Sequence, residues 1–242
     1  MGILKPVRTV SLKDRAVSAI RDAIFSGQLG PGDPLRELHL AKELQVSQPT
    51  VREALMELER HGLVVRRPNI ETTVTNMTAS EIRDRLELRT MLEQAALRKA
   101  VPHLTPANYA ELEDAVSHMA RAVATNNYHD IAQADYTFHH LIWSRCGNMA
   151  LLHGLECLTT PLFAFVSIMR SAWWHDLSRI ADGHRHLLEV LRGGDLALID
   201  ETIAVHINQS YLQFLESTAK DCRGYLAQMK TETRPQSAAA TT

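Results

Sequence analysis

Asp135 and His139 stand four residues apart in YHDIAQADYTFHHLIW, a stretch free of proline and glycine. On a helix this spacing puts both side chains on one face. His184 precedes Gly193-Gly194 by 9 residues and His206 follows it by 12. If that glycine pair joins two antiparallel helices, the two imidazoles differ in depth by only about 5 Å at the helical rise per residue. One carboxylate and three imidazoles brought together in this way suit a borderline divalent ion such as Zn, Ni, Fe or Mn. His140 and His186, rotated by about 100° and 200° from His139 and His184, should point elsewhere. The bland alternative is that these histidines are surface or core residues with satisfied nitrogens. That reading is taken for His39, His61, His103, His118, His129 and His153. Spacing alone leaves both readings of the four-residue set open.

A second set of residues lies near the N-terminus. In SQPTVREAL, a helix that buries Val51 and Leu55 presents Gln48, Thr50 and Arg52 on its other side. Gln pairs with adenine through two hydrogen bonds, and Arg pairs with guanine or phosphate. Arg66 and Arg67 stand at the end of a short β-prone run, and Arg36 opens another helical stretch. All three suit phosphate contact. The alternative is an ordinary charged helical surface.

These side chains need elements to hold them. The spacing predicts a first helix over 12–25, capped by Ser11, with Ala16, Ala19, Ile20, Ala23 and Ile24 on its buried face. A second helix over 36–44 should bury Leu38, Leu40, Ala41 and Leu44. A third over 48–61 should bury Val51, Ala54, Leu55 and Leu58, and end on a glycine, Gly62. Leu63–Arg66 and Thr72–Thr75 read as a hairpin around Pro68-Asn69. From residue 81 onward the chain reads as helical: 81–100, 106–125, 127–145, 148–171 (with Pro161 inside it), 174–192 and 195–220. The fold class is therefore mainly α. A winged helix-turn-helix over 1–76 is followed by a linker at 77–80, an antiparallel helical bundle over 81–228 and a disordered tail at 229–242.

Composition narrows the function classes. The chain has 242 residues, 45% of them hydrophobic, with a net charge of −2. Residues 1–80 carry 11 Lys+Arg against 9 Asp+Glu, and residues 81–242 carry 15 against 19. The positive excess falls where nucleic acid would bind, but it is small. The apolar run from Leu158 to Met169, interrupted by Thr159, Thr160 and Pro161, is too short for a span of about 20 residues. No signal-peptide pattern opens the chain. Cys146, Cys157 and Cys222 form no CxxC pair, which suits a reducing compartment. A cytoplasmic protein with no membrane partner is expected.

The stretch GQLGPGDPLRELHLAKELQVSQPTVREALMELERHGLVVRRPN resembles the GntR superfamily of bacterial regulators, with the likeness running over residues 8–75. It rests on Gly27-x-Leu29 before Pro31-Gly32, Leu40-Ala41 before Leu44, Val46-Ser47, Val51-Arg52-Glu53-Ala54-Leu55 and Gly62-Leu63-Val64. The resemblance implies a homodimer on double-stranded operator DNA, with a recognition helix opening at Ser47 and a wing after Leu63. The DNA contacts expected are Arg36, Ser47, Gln48, Thr50, Arg52, Arg66 and Arg67. Two positions depart from the family. Gln48 stands where Arg is usual, which favours adenine over guanine. The wing reads Pro68-Asn69-Ile70-Glu71 where the family has Pro-Asn-Arg-Gly, so a reshaped wing with weaker DNA contact is expected.

Residues 81–220 resemble the FCD ligand-sensing domain of the FadR-like subfamily. The matching pieces are Glu87-Leu88-Arg89 with Leu92-Glu93, Asp135-x-x-Phe138-His139, His184-Arg185, Gly194-Asp195 and His206. In metal-containing members the corresponding Asp and three His hold the ion, which implies Asp135, His139, His184 and His206 as ligands here. The resemblance also implies a small carboxylate-bearing effector, with Arg89 pairing to its carboxylate. The alternative for Arg89 is an i,i+4 ion pair with Glu93. Gly183 replaces a commonly acidic residue. The function expected is therefore an effector-controlled repressor or activator. Rival readings are a direct metal-ion sensor, a metal-dependent enzyme, and a metal-free site in which the histidines meet the effector themselves.

Overall fold

The computed structural model describes residues 11–67, 70–173, 177–209 and 211. The expected wing tip Pro68-Asn69, the end of the 195–220 helix, Cys222 and the 229–242 tail lie outside these described residues. The N-terminal unit is α1 (Leu12–Phe25), α2 (Glu37–Leu44), α3 (Gln48–Arg60), β1 (Val64–Arg67) and β2 (Glu71–Val74). Ser11 caps α1 by accepting from the Asp14 N–H, and Ser47 caps α3 by accepting from the Thr50 N–H. Gly62, at φ 69°, ends α3. Its N–H donates to the Glu59 carbonyl and that of Leu63 to the Leu58 carbonyl, the paired bonds of a Schellman motif. The strands pair antiparallel with Val64 opposite Val74 and Arg67 opposite Glu71. The segment before α2 runs beside β2, with the Leu35 N–H donating to the Thr72 carbonyl at 2.7 Å. That pairing holds Arg36 next to the wing.

The expected α3 core of Val51, Ala54, Leu55 and Leu58 is fully buried. Two apolar expectations are corrected. Leu38 is 63% exposed because it sits two residues from Leu40, about 200° round the helix. Ala19 is exposed next to buried Ile20.

The C-terminal unit is α4 (Ala79–Ala100), a 3-10 turn (Val101–His103), α5 (Pro106–Ala124), α6 (Tyr128–Trp143), α7 (Met149–Trp173) and α8 (Ser178–Gly193), followed by helix over 196–209. Capping boxes start α4 (Thr78 with Glu81) and α5 (Thr105 with Asn108), so both begin where the side chains satisfy the first free N–H groups. The buried stripe of α4 reads Ile82, Leu86, Arg89, Glu93, Ala96, Ala100. Its apolar ends are ordinary helix packing. The two charges at its centre must be partnered, because an unpaired buried charge is very costly.

The two units share one apolar cluster, which runs from Ile24, Leu58 and Leu63 to Trp143 and Phe163. The join is on α7. Pro161 cannot donate to the Cys157 carbonyl one turn back. A Cβ placed on Gly62 would stand 2.9 Å from Pro161 Cγ and 3.1 Å from the Cys157 oxygen. The Cys157 thiol donates to the Arg60 carbonyl at 2.9 Å, and the Ser167 hydroxyl donates to the Phe25 carbonyl at 3.0 Å. The C-terminus of α3 is therefore seated directly on α7. Among the described residues no helix is long and apolar enough to cross a membrane.

Candidate metal centre and DNA-reading face

His139, His184 and His206 each bring one ring nitrogen to a common point, all within 4.8 Å of one another. Three helical segments contribute: α6, α8 and the 196–209 helix. The His184 and His206 ring centres are 4.3 Å apart, which places the two imidazoles at one level across the Gly193-Gly194 turn. Asp135 Oδ1 lies 3.1 Å from His184 Nε2 and 3.5 Å from His139 Nε2. His140 points away and pairs with Glu156 at 2.9 Å, and His186 is exposed. Gly183 lies in α8 with its missing side chain over His206, where a Cβ would stand 3.4 Å from Nδ1.

The outer partners fix which nitrogen faces the centre. His184 Nδ1 is 2.7 Å from the Ile180 carbonyl, and His139 Nδ1 is 2.9 Å from Glu93 Oε2. Both partners are acceptors, so each Nδ1 carries the hydrogen and each ring turns its Nε2 edge inward, with a lone pair there whenever the ring carries a single hydrogen. His139 Nε2 is buried with no hydrogen-bond partner. His184 Nε2 then faces a carboxylate oxygen with a lone pair, acceptor against acceptor. That contact requires a cation between them, either a proton or a metal ion. The donor set, the tautomers and the unpartnered nitrogen all fit a divalent ion.

Glu93 is the keystone behind the centre. Burial opposes its charge, but His139 and Arg89 beside it, through their hydrogen bonds and the Arg89 charge, hold its carboxyl at about 2. Arg89 donates from Nε to Glu93 at 2.6 Å and from Nη1 to the Tyr211 hydroxyl at 3.2 Å. Its guanidinium lies 4.7 Å from the Phe163 ring centre. The i,i+4 ion pair weighed for Arg89 is thus present, and it extends through Glu93 to His139. Burial pushes His139 below the ordinary histidine value against the pull of Glu93. Lost hydration, then the neighbouring His184 and His139, push His206 well below it. Low basicity keeps these nitrogens available to a metal.

Arg36, Arg66 and Arg67 gather round one open cleft of about 540 Å³, with Glu37, Glu59 and Glu71 in the same wall. Gln48 and Arg52 are exposed on α3 beside it. Ser47 is engaged as the cap of α3, and its hydroxyl is 2.7 Å from that of Thr50. Of the acidic residues on this face, the sequence marked Glu71 in the wing but gave no sign of Glu37 or Glu59. Arg52 pairs with Glu37 at 2.8 Å, Arg66 with Glu59 at 3.5 Å and Arg67 with Glu71 at 3.5 Å. Arg36 makes no ion pair among the described residues. Glu37 lies 15 residues from Arg52, a separation for which helical spacing gives no signal. Glu93 was legible as the i,i+4 partner of Arg89, but its contact with His139 was not. Phe163 and Tyr211 carried no such mark.

Residues 12–74 match the bacterial regulatory proteins of the gntR family, and residues 84–209 match the FCD domain. Among curated relatives, the probable D-xylose utilization operon transcriptional repressor of Paenarthrobacter nicotinovorans is 27% identical over 194 residues, covering 78% of this chain and 84% of that protein. The regulator LutR of Bacillus subtilis is 24% identical over 204 residues, covering 76% and 92%. Among solved structures, Escherichia coli McbR/YncC superposes with a TM-score of 0.75 at 23% identity, over 88% of this chain and all of that one. A GntR regulator from Rhodococcus sp. RHA1 gives 0.71 at 22% identity, over 86% and 99%. The relatives are regulators rather than enzymes, and the fold agrees. The chain is a DNA-binding transcription regulator of the GntR family with an FCD domain.

Proposed function

We propose that this regulator is an effector-controlled repressor, and that the FCD domain takes up a small organic acid through a divalent ion held by Asp135, His139, His184 and His206. The observation that carries this reading is the convergence of three inward-facing imidazoles on a carboxylate, with His139 Nε2 buried and unpartnered. The ion, when bound, supplies a Lewis-acidic centre for carboxylate oxygens. The chain's own residues do the rest. Glu93 and the Ile180 carbonyl hold the tautomers, and Arg89 offers positive charge to the anion from the α4 side. Repressor action follows the role of the Paenarthrobacter relative, a probable operon repressor.

The DNA-reading unit works as a homodimer on a pseudo-palindromic operator, with α3 in the major groove. Gln48, Thr50 and Arg52 face the bases, Ser47 holds the start of α3, and Arg36, Arg66 and Arg67 take phosphates. Three glutamates already neutralise three of the four arginines, so non-specific affinity is low and base contacts dominate. Coupling runs along α7. Phe163 lies against Arg89 and His139, and Pro161, two residues away, lies against Gly62 at the end of α3. An effector that shifts Phe163 therefore bears on the recognition helix through one rigid element.

The test is a thermal-shift screen of organic and sugar acids on tag-free protein, with and without chelator, followed by gel shifts with the acids that respond. A shift that needs both acid and metal, and that alters operator binding, supports the reading. Metal alone altering DNA affinity points to a metal-ion sensor. No response to any acid, with or without metal, overturns it.

A further inference from the structure

The two side chains of α3 best placed to read bases are both held by one residue of the neighbouring helix. Gln48 Nε2 donates to Glu37 Oε2 at 3.0 Å. Arg52 donates to the same carboxylate from Nε at 3.1 and 3.2 Å and from Nη2 at 2.8 Å. Glu37 is the inner member of the group, its side chain 21% exposed against 52% for Arg52. It sits at the first turn of α2, where a negative charge is favourable. We propose that Glu37 sets base specificity, by locking the Gln48 amide and the Arg52 guanidinium into one reading geometry before DNA arrives.

The chemistry of the two groups supports this. A glutamine amide on a surface can turn over, exchanging its oxygen and nitrogen, and so offers either donor or acceptor at a given point. With one Nε2 hydrogen committed to Glu37, the amide keeps its oxygen and its second N–H for the outside. That pair matches adenine N6 and N7. Arg52 has used its Nε edge on Glu37, so only the Nη1/Nη2 end of the fork can face a base or phosphate. A bidentate Arg–carboxylate contact is the surface ion-pair geometry that does persist. The Arg52 hydrogen bond, against the pull of burial, holds the Glu37 carboxyl below its ordinary value, so the clamp is charged throughout the physiological range. The carboxylate also stands where DNA phosphates approach. It therefore weakens sequence-independent binding while sharpening the sequence-dependent part.

The inference rests on the assignment of Gln48 as a base reader, and the test separates the two. Randomised duplexes are selected with the full-length protein and with E37A, E37Q and Q48A. Affinities are then measured for the selected site and for a scrambled duplex. A good bidentate base contact is worth about fivefold to 150-fold in discrimination. The expectation is that E37A and E37Q lose preference in the same base column as Q48A, by about tenfold, while E37A binds the scrambled duplex more tightly than wild type. E37Q is isosteric and guards against a folding defect in E37A. If Q48A leaves every column unchanged, Gln48 is not a reader and the inference falls with it. If Q48A loses a column that E37A and E37Q both keep, Gln48 reads DNA but Glu37 does not set it.

Discussion

Glu93→Gln separates the metal centre from the fold more cleanly than removal of any ligand. Glu93 is fully buried, with one oxygen 2.6 Å from Arg89 Nε and the other 2.9 Å from His139 Nδ1. Glutamine keeps the shape but has only one oxygen. The charged guanidinium should claim that oxygen, which turns the NH₂ toward His139. Nδ1 must then accept, the ring hydrogen moves to Nε2, and the inward lone pair is lost. Loss of such an outer partner weakens metal binding by about 10–100-fold, or about 1.4–2.7 kcal/mol. Arg89 also loses its ionic partner. Breaking a buried pair costs about 3–5 kcal/mol, and the retained amide oxygen reduces this. At about 2–4 °C per kcal/mol for a chain of this size, Tm should fall by roughly 5–15 °C. The assay is competitive titration of chelator-stripped protein with zinc or manganese, paired with a melting curve. Arg89→Met/Glu93→Gln is the control: with no guanidinium to claim it, the amide oxygen can face His139 Nδ1, and metal affinity should recover relative to Glu93→Gln alone. A folded Glu93→Gln protein binding metal within twofold of wild type would refute the tautomer argument.

Gly62→Ala should destabilise the junction, because an L-residue at φ 69° costs about 1–2 kcal/mol and the new methyl meets Pro161 Cγ at 2.9 Å. Adding Pro161→Ala should recover only part of the lost Tm, since the Cys157 carbonyl at 3.1 Å remains, and full recovery would contradict the packing. Ile70→Arg/Glu71→Gly should tighten DNA binding in gel shifts and steepen its salt dependence by about one to two units of log–log slope per half-site, because Glu71 is then gone from Arg67; unchanged affinity would count against a weakened wing. In carboxyl NMR titrations Glu37 should remain ionised below its ordinary value of 4.5. Its contribution is present above that pH and lost as pH falls through the depressed value, and Arg52→Gln should raise the midpoint back; a midpoint already at the ordinary value would mean the clamp is absent in solution.

Local rules in the sequence determined most of the framework. Apolar spacing fixed α1, α3 and the bundle helices to within a few residues, since each must bury one stripe. Ser11, Ser47 and Gly62 marked helix ends, because cap chemistry is local. The i,i+4 relation of Asp135 and His139 and the glycine turn between His184 and His206 made the convergence of the four readable as a possibility. Sequence could not say which nitrogen of His139 and of His184 would face inward. That is decided by Glu93 and the Ile180 carbonyl, and the Glu93 contact comes from another helix whose rotation only packing sets. Nor could it tell that Glu37, Glu59 and Glu71 would meet Arg52, Arg66 and Arg67, because surface charges carry no periodic signature. The seat of Gly62 on Pro161 joins residues a hundred positions apart. Tertiary structure alone decides such contacts, because they depend on how two separately legible units share one core.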